Sequence, residues 1–394
     1  MKLTYQTTIN SCFVGYIVQA IVNNFVPLLF VTFQDSYDIP LGQITLLVTV
    51  NFGVQLLTDL LAAKFIDKIG YRISILLAHV LSALGLVLLT VLPEILPPFT
   101  GILTAVVIYA VGGGLLEVLV SPIMESCPTD NKESAMSLLH SFYCWGHVGV
   151  VLVSTVFFQV VGTDHWKLLA WGWALIPVLN AVILSQTPIV PLIAEGETGM
   201  TGKDLFSSKT FCLLMLMMVC AGASEQAVSQ WASAFAEQGL GISKTAGNLA
   251  GPMAFAICMG SARAIYGKFG HRIDLDKFMK WSSILCVCAY LLISLSPLPA
   301  LSLIGCAVCG MSVGILWPGT FSKAAAALKN GGTAMFALLA LAGDLGCSAG
   351  PTLAGIVSDL CAGSLHTGIL AAVIFPVTLL VLLSVKSRNS PLPE

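Results

Sequence analysis

Long apolar runs separated by short polar gaps make up almost the whole of this chain. Twelve such runs fall near residues 8–33, 41–62, 73–92, 99–125, 133–160, 166–187, 209–236, 243–266, 278–296, 299–327, 333–358 and 366–386. A helix crosses the hydrocarbon core of a bilayer with about 20 mostly apolar residues, and each run approaches or exceeds that length. The pattern predicts twelve transmembrane helices, several long enough to tilt. No polar gap is long enough to form a separate soluble domain. The short polar opening before Asn10 argues against a cleaved leader, so the first run is expected to be a span.

Charge placement orients these spans. Of the 18 Lys and Arg residues, all but Lys167, Lys244 and Arg263 lie in alternate gaps or at the termini. The alternating set is Lys2; Lys64, Lys68 and Arg72; Lys132; Lys203 and Lys209; Lys268, Arg272, Lys277 and Lys280; Lys323 and Lys329; Lys386 and Arg388. Basic residues collect in cytoplasmic loops, so both termini are expected on the cytoplasmic side of the cell (inner) membrane, with an even number of crossings. Composition agrees: 57% of residues are hydrophobic and 10% charged, with mean hydropathy +0.91, against about 25% charged in a soluble domain. The net charge of −2 carries no sign of a nucleic-acid partner; the expected surroundings are lipid.

One loop is repeated. Ala63-Lys-Phe-Ile-Asp67-Lys68-Ile-Gly70-Tyr71-Arg72 joins the second and third runs. It recurs 200 positions later as Arg263-Ala-Ile-Tyr-Gly267-Lys268-Phe-Gly270-His271-Arg272, between the eighth and ninth. Such self-similarity predicts two related six-helix halves, a known transporter plan. The least apolar gap, Pro188 to Lys209, lies at the midpoint and suits a cytoplasmic linker. The expected organisation is an N-terminal bundle over 1–187, a linker over 188–209 and a C-terminal bundle over 210–394.

The Asp67-Lys68-x-Gly70-x-Arg72 loop resembles the signature loop of the major facilitator superfamily, although Ala63 stands where that family usually has Gly. The resemblance implies a fold of two pseudo-symmetric six-helix bundles. It also implies that Asp67 and Arg72 help hold the cytoplasmic side shut; the simpler alternative is that they only anchor topology. A narrower resemblance, to the fucose permease branch, rests on several segments together. These are Asn23-Asn24, Asn51-Phe52-Gly53, Gly112-Gly-Gly114-Leu-Leu-Glu117 with Ser121-Pro122, and Leu139-His140-Ser-Phe142-Tyr143-Cys-Trp145-Gly146. The others are Gly222-x-x-Glu225 through Trp231, Trp317-Pro318-x-x-Phe321-Ser322 and Gly355-Ile-Val-Ser358-Asp359. The branch carries an acid in its first span where this chain has Pro27, so its proton coupling does not transfer intact.

Ionisable groups inside spans are costly in hydrocarbon and are found facing a cavity or a partner. Glu117, Glu225, Asp344 and Asp59 are the candidate proton-coupling acids. Glu117 follows three glycines, has apolar neighbours, and has no Lys or Arg within a turn to hold it ionised; a structural hydrogen bond is the alternative. Gln226 and Gln230 share a helix face at i, i+4, flanked by Glu225 and Trp231 about 100° away. Amides offer paired donors and acceptors to a hydroxyl-rich ligand, and an indole stacks on a sugar's CH surface. Asn23, Asn24, Gln19, His140, Tyr143, Trp145 and His147 supply similar chemistry in the N-terminal half, with His147 equally suited to a packing role, and Trp317 joins the candidate substrate-binding set. Arg263 either snorkels to the interface or pairs with Asp344 or Glu225 as a gating contact.

Other chemistry finds little support. The six His show no metal-ligand spacing, and Cys306-x-x-Cys309 has no second pair nearby. Gly202-Lys203 and Gly267-Lys268 lack the context of a nucleotide-binding loop. Neither a His-Glu-x-x-His helix nor a Ser/His/Asp order is present, so no enzyme, metal or cofactor is expected. The leading expectation is a monomeric secondary transporter of a small polar solute, a sugar or sugar-like compound, worked by proton symport. An exporter of an amphipathic compound or drug would call for fewer Asn, Gln and His residues. A non-transporting sensor would usually carry a soluble appendage.

Overall fold

The computed structural model describes residues 4–193, 199–230, 232, 244–362 and 364–388. Among these residues the chain is helical, with no strand. Eleven stretches of the described residues are long and apolar enough to cross a membrane. The predicted eighth run forms the helix Lys244–Phe269, which has 26 residues but is diluted by Asn248, Pro252 and Arg263.

The first run is built as α1 (Tyr5–Asn24), a 3₁₀ turn (Val26–Leu29) and α2 (Phe30–Tyr37). Four helices follow: α3 (Leu41–Ile69), α4 (Tyr71–Ile95), α5 (Pro98–Ser126) and α6 (Lys132–Val160). Then come α7 (Trp166–Gln186), a short α8 (Gly202–Ser207), α9 (Lys209–Ser229) and α10 (Lys244–Phe269). The chain continues with α11 (Leu275–Leu295), α12 (Pro299–Val313), α13 (Leu316–Ala327) and α14 (Gly332–Leu360), and finishes with α15 (Leu365–Ala372) and α16 (Ile374–Arg388).

Three predicted runs are broken helices, and each break lies next to the residue four positions before a proline. Proline has no N–H, so the carbonyl four residues back loses its helical donor. Pro27, Pro318 and Pro376 deprive the carbonyls of Asn23, Gly314 and Ala372, next to the breaks after α1, α12 and α15. Pro93, Pro122, Pro177 and Pro351 lie inside helices that continue through them.

The helices form two compact units. One takes Met1–Thr129, Phe142–Met200 and Asn330–Leu338; the other takes Asp130–Ser141, Thr201–Lys329 and Leu339–Glu394. In the first unit α4 lies along α5, and the backbones approach closely because glycines line the seam. A Cβ on Gly85 would stand 2.5 Å from that of Tyr109, and one on Gly112 would stand 2.5 Å from the Ser82 hydroxyl. Ile21, Phe25, Leu86, Leu89, Val106 and Tyr109 fill the core beside the seam. In the second unit α9 meets α14 through Gly222, Gly343, Gly346 and Gly350, again backbone to backbone.

The outer faces are apolar. On α4, Ile73, Leu77, Val80 and Leu84 are exposed at i, i+4, i+7 and i+11, the reverse of a soluble helix and the arrangement a lipid-facing helix needs. Polar groups are instead turned inward, which is what positions the candidate site.

The seam generates a direct test. Gly112→Val should destabilise the detergent-purified protein by the ~1–3 kcal/mol typical of overpacking or more, read as a lower melting temperature. Gly172→Ala, where nothing lies within 4 Å of the new Cβ, should leave melting unchanged or slightly raised.

Candidate functional site

Among the described residues, expected site residues gather in two polar clusters inside the apolar helices, one in each unit. In the first unit, α1 presents Tyr16, Gln19 and Asn23 at i, i+3 and i+7, a single face. Opposite them, α5 offers Glu117 and Ser121, α3 offers Asn51 and Gln55, and α6 offers Tyr143. The Gln19 Nε2 donates to Glu117 Oε2 at 2.7 Å, and the Tyr16 hydroxyl bonds that of Ser121 at 2.9 Å. Asn23 Oδ1 accepts from Gln55 Nε2 at 2.8 Å and from Asn51 Nδ2 at 3.2 Å, while Asn23 Nδ2 lies 3.5 Å from the Tyr143 hydroxyl. Gln19 Oε1 and Asn51 Oδ1 are buried acceptors without a hydrogen-bond partner. Buried unsatisfied acceptors are uncommon; here two of them belong to one cluster.

The three consecutive glycines of α5 make this cluster possible. Successive helical residues point about 100° apart, so Gly112 faces α4 while Gly113 and Gly114 face α1 and α3. A Cβ on Gly113 would meet Val22 at 3.1 Å, and one on Gly114 would meet Thr58 at 2.9 Å. With all three positions bare, α1, α3 and α4 close onto α5, and Glu117 is carried in one turn further along. Asp59 lies on α3 one turn beyond Gln55 and is fully buried.

In the second unit Arg263 is the hub. It is buried, and its guanidinium points inward rather than snorkelling. Its Nε donates to the Gly314 carbonyl at 2.8 Å, the carbonyl that Pro318 leaves without a helical donor. One terminal nitrogen donates to the His140 carbonyl at 3.2 Å, and the other pairs with Glu225 at 3.2 Å. Of the two partners expected for Arg263, the ion pair is with Glu225. The His140 ring stacks on Phe321 with centroids 5.6 Å apart, and Trp317 meets Phe321 at 6.3 Å. The Trp317 indole also packs on Gly343, next to the half-buried Asp344.

The repeated loops differ in detail. Gly70 is the single residue between α3 and α4, and its φ of 93° is one that a side chain would strain. Beside it, Asp67 accepts from the Thr333 hydroxyl at 2.5 Å, and the Tyr71 hydroxyl bonds Thr333 at 2.6 Å. Asp67 thereby places a negative charge at the first turn of α14, where a helix dipole favours it. Arg72 is engaged elsewhere: it donates to the carbonyls of Leu184, Ser185 and Thr187, capping the end of α7. In the second copy Gly270 has no positive φ. There smallness is what matters, because a Cβ would stand 2.5 Å from the Ser134 hydroxyl. The Tyr266 hydroxyl donates to Glu133 at 3.1 Å. Glu133 is the 200-position counterpart of Thr333, so acid and hydroxyl have exchanged sides between the copies.

Other expected site residues separate from these clusters. Asn24 donates back to the Ala20 carbonyl of its own helix at 2.8 Å. Gln226 is half-buried, Gln230 is exposed just beyond the end of α9, and Trp231 lies outside the described residues. Gln19 joins the first cluster as its chemistry suggests, and so do Asn51 and Gln55, which are not in the expected substrate-binding set. The signal was present in the i, i+4 pair Asn51 and Gln55 within an apolar run. The run Gly346-Cys-Ser348-Ala-Gly350 has the spacing of a hydrolase nucleophile elbow. It lies midway along α14 rather than at a strand-to-helix turn, with its glycines against α9.

The sequence profile of the Major Facilitator Superfamily matches residues 12–351. No curated protein matches the chain by sequence. Its fold is similar to that of the E. coli fucose:proton symporter, with TM-score 0.79 and 18% identity over 98% of this chain and 100% of the other. A proton:xylose symporter bound to 6-bromo-6-deoxy-D-glucose gives 0.77 and 12%, over 98% and 96%. The human organic anion transporter of the same superfamily gives 0.72 and 16%, over 96% and 99%. At these identities the likeness is one of fold.

The Arg263–Glu225 pair predicts a coupled stability response. Arg263→Met strands both Glu225 and the Gly314 carbonyl, and should destabilise by roughly 3–5 kcal/mol. Glu225→Leu combined with Arg263→Met should cost clearly less than the sum of the single changes in a thermal-melting cycle. Strict additivity would mean that the pair contributes no coupling.

Proposed function

Because the chain belongs to the major facilitator superfamily, we propose that it is a secondary transporter carrying a small polar, sugar-like solute by proton-coupled alternating access. The observation that carries this reading is the amide-rich cluster of Gln19, Asn23, Asn51 and Gln55 beside Glu117 and Tyr143, within helices whose other faces are apolar. Amides in such number suit a ligand with many hydroxyl groups. Two of the proteins that share the fold are by name proton-coupled sugar symporters, which supports the same class. The membrane is proposed to be the cytoplasmic one with both termini inside, and the moving bodies to be 1–187 and 210–394, joined by 188–209.

Glu117 is the proposed proton carrier because its Gln19 partner suits both protonation states. A carboxylate accepts from the Gln19 Nε2, as the structure has it. A carboxylic acid would donate to the Gln19 Oε1, which is otherwise unsatisfied, after the amide turns over. Glu225 differs, since protonating it would take the countercharge from the buried Arg263. Asp59 and Asp344 are the remaining candidates. The proposed substrate-binding residues are Asn23, Tyr143 and Glu117 in the first unit and His140, Trp317, Glu225 and Gln226 in the second. Asp67 is proposed as a cytoplasmic latch on the first turn of α14, with Arg72 and Arg263 holding helix ends and breaks in place.

Ligand class is tested by thermal shift of the purified protein against sugars, sugar acids and nucleosides at two pH values. In proteoliposomes with the stabilising ligand, Glu117→Gln mimics the protonated acid and should exchange substrate while failing to accumulate it against a gradient. Normal accumulation by Glu117→Gln, with loss on neutralising Asp59, Glu225 or Asp344, would move the proton to that residue. PH-driven uptake in all four variants would end the proton-symport reading.

The latch is tested separately. Asp67→Asn keeps an acceptor for Thr333 but removes the charge at the helix end, a loss of ~0.3–1 kcal/mol. Labelling of cysteines placed on the cytoplasmic side should increase up to about fivefold. Unchanged labelling would return Asp67 to a topological anchor.

A further inference from the structure

Among the described residues the second copy of the repeated loop leaves its cations out of any ion pair, with Lys268 over the Phe269 ring at 5.4 Å, and it does so beside a lipid-facing helix surface. Where Arg72 caps a helix with three hydrogen bonds, Arg272 is exposed and donates only to the ring of its neighbour His271, at 3.1 Å. Lys268 and Lys277 are exposed and Lys280 partly so. Among the described residues, the ion pairs are Lys167–Glu94, Arg263–Glu225 and Lys323–Asp276, and none of these four cations takes part. The nearby acids are occupied: Asp276 by Lys323, and Asp274 as the N-cap of α11, accepting from the Lys277 backbone at 2.8 Å.

The face of α11 completes the arrangement. Lys277, Lys280, Trp281, Ile284, Leu285 and Cys288 follow at i, i+3, i+4, i+7, i+8 and i+11, which is one side of a helix. Trp281 is 69% exposed, and Ile284 and Leu285 are each 37% exposed. This side is therefore apolar over its inner turns, carries an indole at the next level, and ends in two ammonium groups. Hydrocarbon, interface and headgroup layers of a bilayer have that same order, with Trp favoured at the interface. Arg272 and Lys268 lie a few residues before it in the chain, at the end where α10 runs into α11.

We propose that the segment from Lys268 to Trp281 binds the headgroup of an anionic phospholipid, whose acyl chains lie along Ile284 and Leu285. The phosphodiester meets Arg272, Lys277 and Lys280, and the Trp281 ring lies beside the glycerol region. A soluble phosphate compound would use the cations but would not engage the exposed Trp281, Ile284 and Leu285 that continue from them along α11. The first loop is the internal contrast: its Arg72 is consumed in capping α7, which leaves Lys64 and Lys68.

The test is lipid retention by the full-length purified protein, measured by native mass spectrometry after titration with phosphatidylglycerol or phosphatidylcholine. Phosphatidylglycerol should be retained preferentially, and the preference should weaken as ionic strength rises. A basic residue near an anionic surface contributes about fivefold. Arg272→Gln, Lys277→Gln and Lys280→Gln combined should therefore cut the preference at least about tenfold, allowing for screening. Lys64→Gln with Lys68→Gln should leave most of it. Equal retention of the two lipids, an unchanged preference in the triple variant, or an equal loss from the first-loop variant would overturn the proposal. Should the triple variant fail to fold, the salt titration of the unmodified protein decides: retention insensitive to salt overturns it. Competition by glycerol phosphate as strong as by the intact lipid would point to a soluble ligand, and would overturn it as well.

Discussion

Hydrocarbon cannot hydrogen-bond, and the rest of this structure depends on that constraint. Backbone groups in a bilayer must be satisfied within the chain, which forces helices. Side-chain polar groups face the same demand, so those inside the spans gather against one another and leave the outer faces to Leu, Ile, Val and Phe. Gln19, Asn23, Asn51, Gln55, Tyr143 and Glu117 form one such gathering. Arg263, Glu225 and the freed carbonyl of Gly314 form another. The two differ in chemistry. The first is built mainly from amides, which can reverse their donors and acceptors at little cost. The second is held by a permanent cation, and removing any member leaves a buried group unmatched.

Prolines and glycines determine where these gatherings occur. Pro27 and Pro318 interrupt spans beside Asn23 and Arg263, which brings backbone irregularity to the places where polar side chains meet. Irregular backbone at membrane depth is tolerated where it is buried or lines a cavity. Gly112, Gly113 and Gly114 let three helices close on α5 at once, so that Glu117 is carried among them rather than toward lipid. Packing and chemistry are thus one problem here, solved by residues that themselves make no polar contact through a side chain.

The repeat shows how far two copies of one motif can part while keeping their outline. Gly70 is required for a backbone turn and Gly270 for a close approach. The carboxylate sits on the loop side in one copy and on the partner helix in the other, as Asp67–Thr333 against Tyr266–Glu133. Arg72 holds a helix end, whereas Arg272 stays at the surface. Identity of letters at two positions in a sequence is therefore a poor guide to identity of role.

The sequence by itself determined the class of the molecule: apolar runs of bilayer length and alternating basic gaps leave few other solutions. It also marked the candidate acids, because a carboxyl within an apolar run stands out in one dimension. Tertiary structure decided the partners. That Arg263 pairs with Glu225, and that Asn23 is flanked by Gln55 and Asn51, depends on residues 38 and 32 positions apart meeting through helix packing. Asn24 looked as suitable as Asn23, yet a rotation of about 100° turns it back onto its own helix. Helical period can be read from the sequence, but its phase relative to neighbouring helices is set only when the glycine seams close.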